Sequence, residues 1–173
     1  MFSVLFSVQI IRAQTSSEYR VKAVFIFNFT HFVDWPASSF TSSDSPFIIG
    51  IIGKDPFGNY LEEAVANEKV GSHPIVVHHF SDLSEVTNCQ ILYINYIEPV
   101  LVKSILNTTS EKNILTVNDA LNFPRWGGII GFFTENDKIR LQVNVSAAKK
   151  AQLAISSKLL HVARIVESTG DKK

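Results

Sequence analysis

Along residues 18–35 apolar side chains recur at helical spacing: Val21, Val24, Phe25, Phe29, Phe32 and Val33 make one stripe, and Ile26 and Phe27 widen it. The spacing predicts a helix over 18–35, buried on most sides and stopped by Pro36. After a polar loop at 41–46, residues 47–53 are continuously apolar, the pattern of a strand buried on both faces. Asp55 and Pro56 then read as an N-cap and a first helical residue, opening a helix over about 57–66 with Leu61 and Val65 inward. Strands are expected at 74–80, 89–95 and 114–117. A helix is expected at 98–106, with Val100, Leu101, Ile105 and Leu106 as its apolar residues. Strand alternating with helix is the pattern of parallel βαβ units.

The rhythm changes near the end. Residues 128–134 and 138–144 flank Glu135-Asn136-Asp137, which reads as a hairpin turn. The second arm alternates: Ile139, Leu141 and Val143 face one way, and Lys138, Arg140 and Gln142 face water. Ser146 reads as the cap of a helix over 147–153. Ser156 reads as the cap of a last helix carrying Leu159, Leu160, Val162, Ala163 and Val166. No repeat, linker or low-complexity tract breaks the chain. The expected fold is a single domain over 15–173, a three-layer α/β/α sandwich. Its mostly parallel sheet of about six strands ends in an antiparallel hairpin, with helices on both faces. Residues 1–14 stand apart. An apolar run ending at Ile11 and followed by Arg12-Ala13-Gln14 reads as a truncated secretory signal cut near Ala13, with no basic residue ahead of it; an ordinary first strand is the alternative.

Composition narrows the function classes. Of 173 residues, 46% are hydrophobic and 18% charged, which suits a folded domain and excludes disorder. Sixteen basic residues balance sixteen acidic ones without clustering, so a nucleic-acid partner is not expected. Cys89 is the lone cysteine; it can form neither an internal disulfide nor a cysteine-based zinc site, and reads as a small buried hydrophobe at a strand start.

Motifs for chemistry are weak. Gly50-Ile51-Ile52-Gly53-Lys54-Asp55 has the wrong glycine spacing for a phosphate loop, and Asp55 would repel phosphate. On a strand, His78 and His79 face opposite sides, while His73 and His79 lie about 20 Å apart along it. No metal site, cofactor or catalytic set is therefore expected. Asp55 and Asn118-Asp119 lie where strands end, and both read first as helix caps. The loops at Gly53-Lys54-Asp55, Asn95-Tyr96 and Asn118-Asp119 could also border one ligand-binding crevice.

Several stretches together carry a resemblance. Residues 18–29 with Phe32-Val33-Asp34-Trp35-Pro36, residues 50–58, Cys89-Gln90-Ile91-Leu92-Tyr93-Ile94, Leu115-Thr116-Val117-Asn118-Asp119, Gly127-Gly128-Ile129-Ile130 and residues 153–160 occur in the order of the YfiR family, which the chain resembles over nearly all its length after the signal. The resemblance implies a bacterial periplasmic protein without catalytic activity, able to dimerise. Such a protein represses or modulates a membrane-bound signalling protein, a diguanylate cyclase or a sensor kinase, through that protein's periplasmic part, and so bears on cyclic-di-GMP and biofilm formation. Family regulators use cysteine pairs, and Cys89 alone cannot supply them. A small-ligand sensor is the alternative. Candidate contact residues are Trp35, Phe57, Tyr96, Phe123 and Trp126, aromatic side chains near loops, with Asp55 and Asp119 as polar partners.

Overall fold

The structure is a computed structural model that describes residues 4–86 and 88–169, with side chains from residue 17 onward. Its centre is built from strands whose alternate residues feed two separate cores. β2 (Phe47–Gly53) and β5 (Ile91–Asn95) show the division best. Ile49, Ile51, Ile91 and Tyr93 join one apolar cluster, and Ile52, Leu92 and Ile94 join the other. A strand's two-residue period makes this split, and a continuously apolar sequence is what two covered faces demand. Leu115 and Val117 of β6 (Leu115–Asn118) extend the first cluster.

Each core has its helices. On the first lie α1 (Val4–Phe32), through Ala23, Ile26 and Phe29, and α2 (Tyr60–Val65), through Leu61 and Val65. The same core takes α4 (Val145–Lys150) and α5 (Ser157–Val162). On the second lies α3 (Pro99–Thr109), through Val102, Ile105 and Leu106. The layering is the expected α/β/α sandwich.

The sheet is wider than expected. Eight strands run in the order β10-β8-β7-β6-β5-β2-β4-β3, where β3 is Lys69–Val70, β4 His73–Phe80, β7 Ile130–Glu135, β8 Lys138–Val143 and β10 Arg164–Ile165. β4, β2, β5, β6 and β7 are mutually parallel, and the β7–β8 hairpin is antiparallel. Two more short strands, β1 (Val33–Asp34) and β9 (Ala154–Ile155), pair apart from the sheet. The strands missed by the sequence pattern, β1, β3, β9 and β10, have two residues each, too few to show a period.

Several boundaries move. α1 begins at Val4, so residues 4–14 are helical and no first strand forms there. It ends at Phe32, because Val33 and Asp34 pair with β9 instead of continuing to Trp35. α2 starts at Tyr60, three residues late: Asp55 Oδ1 accepts from the Phe57 backbone N–H at 2.7 Å in a local turn, and Gly58 takes a positive φ that breaks the first helical turn. Asp55 is therefore not the cap of α2. Asn144, not Ser146, caps α4, its side chain accepting from the Ala147 N–H at 2.9 Å. Ser156 does cap α5, but that helix stops at Val162, and Arg164–Ile165 form β10 beside β8. That pairing covers Gln142, which is buried rather than wet. The hairpin turn needs only Asn136 and Asp137, both at positive φ, as two-residue turns of this kind require.

Candidate functional site

In an open parallel sheet the place for a site is beyond the carboxyl ends of the strands, where successive connections part to opposite sides. Here that point lies beside β2: the chain leaves it for β4 on one side and returns to β5 on the other. The expected crevice between the loops after β2, β5 and β6 is instead stitched together. Asn95 Nδ2 donates to the Lys54 carbonyl at 2.5 Å. Asn118 Nδ2 donates to the Ile94 and Tyr96 carbonyls at 2.6 and 2.8 Å, and its Oδ1 accepts from the Ala120 N–H at 2.5 Å. No helix starts at Asn118-Asp119, so capping is not their role. Asn118 is the tie that holds the β5 and β6 loops, and Tyr96 sits partly buried over Gly53.

Asp119 turns the other way, toward α1. Lys22, only 3% exposed, meets Asp119 Oδ2 at 2.7 Å and Glu18 Oε1 at 2.5 Å. The Tyr19 hydroxyl donates to the same Asp119 oxygen at 3.0 Å, and the Lys22 ammonium lies 4.5 Å from the Tyr19 ring centre. Tyr93, wholly buried on β5, completes the group: Phe57 packs edge-on against Tyr93 at 4.7 Å and against Tyr19 at 5.6 Å. Burial, reinforced by the nearby Asp119 charge, holds both tyrosine hydroxyls well above the usual phenol range, so they stay protonated. The Tyr93 hydroxyl lies beside Tyr19 and Asp119 and interacts with both, yet neither it nor Asp119 Oδ1 has a partner in well-formed hydrogen-bond geometry among the described residues. A cavity of about 150 Å³ opens beside Glu18, Lys22 and Asp119. Two carboxylates neutralise the one buried ammonium, so the cluster's chemistry is that of a clamp between α1 and the β6 loop. Lys22 was not singled out from sequence. Its signal was a charge inside the apolar run Val21-Lys22-Ala23-Val24-Phe25, on a helix expected to be buried nearly all round.

The other candidates scatter. Phe57 and Phe123 are buried and pack into the two cores. Trp35 lies at the amino end of the sheet, its indole N–H donating to the Gln90 carbonyl at 3.1 Å and its ring edge-on to Phe47. Trp126 lines a cavity of about 270 Å³ with Thr109, Thr116, Ser146 and Lys150, also at the amino ends. Asp55 Oδ2 pairs with His79 Nε2 at 3.0 Å. Cys89 is buried just before β5, and desolvation pushes its thiol up to about 12, so it is not a reactive thiolate.

What sequence reading did not find is an apolar rim at the carboxyl ends. Ile97 is 70% exposed, Val100 84% and Leu121 67%, with Leu101 also exposed. The buried stripe of α3 is Val102, Ile105, Leu106 and Thr109, which turns Val100 and Leu101 outward against expectation. Ile97 and Leu121 ride on the two loops that Asn118 ties together. Among the described residues no helix is long and apolar enough to cross a membrane.

The family model described as YfiR/HmsC-like matches residues 19–164. No curated protein matches the chain.

Proposed function

Because the chain belongs to the YfiR/HmsC-like family, we propose that it is a non-catalytic regulatory protein of the periplasm that docks on the periplasmic part of a membrane-bound signalling protein, a diguanylate cyclase in the first instance. The family match over residues 19–164 is the observation that carries this reading. The exposed apolar rim of Ile97, Val100, Leu101 and Leu121 supports it, as the docking surface of this reading. Large apolar side chains held in water on neighbouring loops are a feature of interaction sites, and burying them against a partner is favourable. The clamp through Lys22 and Asp119, with the asparagine stitches beside it, holds those loops still, so little ordering entropy opposes docking. Regulation then follows from preference: the protein shifts its partner toward whichever state it binds more tightly. Export uses the first residues as a signal removed near Ala13.

The test is recovery of the partner. Protein purified from the periplasm, with a new amino terminus near Ala13, is cross-linked to inner-membrane extract. A membrane protein carrying a periplasmic domain and a cytoplasmic cyclase or kinase domain is expected. The double substitution Ile97→Asp, Val100→Asp should weaken its capture by roughly tenfold or more, as loss of central apolar contacts does. Recovery of no membrane sensor, or recovery indifferent to both substitutions, sinks the reading.

A further inference from the structure

We propose that Asp55, Glu62 and His79 form a binding site for a divalent cation of the zinc class. The three come from separate pieces of the fold: Asp55 from the turn after β2, Glu62 from α2 and His79 from β4. Their donor atoms nonetheless all lie within 4.8 Å of one another. His79 Nε2 stands 3.0 Å from Asp55 Oδ2 and 3.9 Å from Glu62 Oε1. Donors about 2.1 Å from a tetrahedral zinc are about 3.4 Å apart, a spacing that these two separations bracket.

The charge balance points the same way. Among the described residues neither carboxylate meets a lysine or arginine; the imidazole is the one charged group that each faces. Two carboxylates around one half-exposed histidine leave a net negative cluster that a divalent ion neutralises. Asp55 is also held in place, because its other oxygen accepts the Phe57 N–H at 2.7 Å and leaves Oδ2 directed at His79. Metal sites rely on such outer hydrogen bonds to orient their ligands. An imidazole nitrogen among the donors favours zinc and its transition-metal neighbours over calcium and magnesium, which prefer oxygen alone. Three protein ligands leave a fourth position open to water or to a partner's side chain. The strand alternation that separates His78 from His79 does not matter here, since His78 stacks on Phe80 and takes no part.

Calorimetric titration of the purified, metal-stripped chain with zinc chloride, and in parallel with calcium chloride, tests the proposal. One saturable zinc site per chain is expected, with no calcium binding. His79→Ala and Asp55→Asn should each weaken zinc binding by roughly tenfold or more, whereas His78→Ala should leave it unchanged. Glu62→Gln alters an exposed helix side chain and keeps the test valid should the other variants fold poorly; it too should weaken binding. Cobalt supplies a second readout, a visible absorption band present in the parent and lost in His79→Ala. Absence of saturable zinc binding, or zinc and cobalt binding indifferent to Glu62→Gln and His79→Ala, overturns the assignment.

Discussion

A single ammonium at 3% exposure organises the carboxyl end of the sheet. Lys22 would be costly to bury alone; Asp119 and Glu18 make its position tolerable. Asp119→Ala strips one carboxylate and leaves the ammonium to Glu18, whose own side chain is partly in water. A loss of about 3 kcal/mol in unfolding free energy is expected from urea denaturation, in line with breaking a buried pair. Tyr93→Phe goes the other way. It removes a buried hydroxyl that sits beside Tyr19 and Asp119 without a well-formed hydrogen bond, so stability should hold or rise by about 1 kcal/mol in the same assay. A drop of similar size would show that the Tyr93 hydroxyl is satisfied in solution.

Among the elements, the turn from β2 is the most constrained. Gly53 takes φ +97°, and an added Cβ would come within 2.8 Å of the Asn95 carbonyl. Gly53→Ala should therefore destabilise by about 1–3 kcal/mol, measured by thermal unfolding, through backbone strain joined to a clash that the β5 loop must yield to. The longer strands and the order of helices were readable because a buried parallel sheet writes itself as apolar runs, as in Phe47–Gly53. Capping was less readable. Asp55, Asn118 and Ser146 have the right side chains for N-caps, yet Asp55 closes a local turn, Asn118 bridges two loops, and Asn144 takes the role assigned to Ser146. A short polar side chain can satisfy a backbone group in several ways, and only tertiary placement selects one. The Lys22–Asp119 pair spans 97 positions, and no local pattern reports a contact of that range. Of the candidate contacts, Phe57 and Phe123 went to the cores because aromatic residues beside loops are as often packing as recognition. The exposed rim was hidden by its own hydrophobicity, since Val100 reads as inward until the phase of α3 is known.

For the molecule as a whole, two buried groups, Cys89 and Tyr93, and the half-buried Tyr19 give the same pH dependence. Desolvation raises the Cys89 thiol to about 12 from an ordinary value near 9, and raises the Tyr19 and Tyr93 phenols above theirs near 10. Above about pH 9 the unfolded chain releases protons that the native chain keeps, so it binds fewer protons and stability falls as pH rises. Urea midpoints measured at neutral pH and at successive steps above about pH 9 should decline, and Tyr93→Phe should make the decline shallower. A flat profile would mean that these groups ionise as easily in the native protein as in the unfolded one.

The chain's last strand closes one side of this architecture. β10 has two residues, and its pairing at Arg164 and Ile165, with the Val166 N–H on the Val143 carbonyl at 2.9 Å, covers the outer margin of β8 at its carboxyl end, over Gln142 and Val143. Without it, the apolar carboxyl end of β8 would also present unpaired backbone groups, the kind of surface to which a second copy can add its own strand. Those few residues thus act as a guard against self-templating at that end of the strand, and proteolytic nicking just before Arg164 would leave it adhesive.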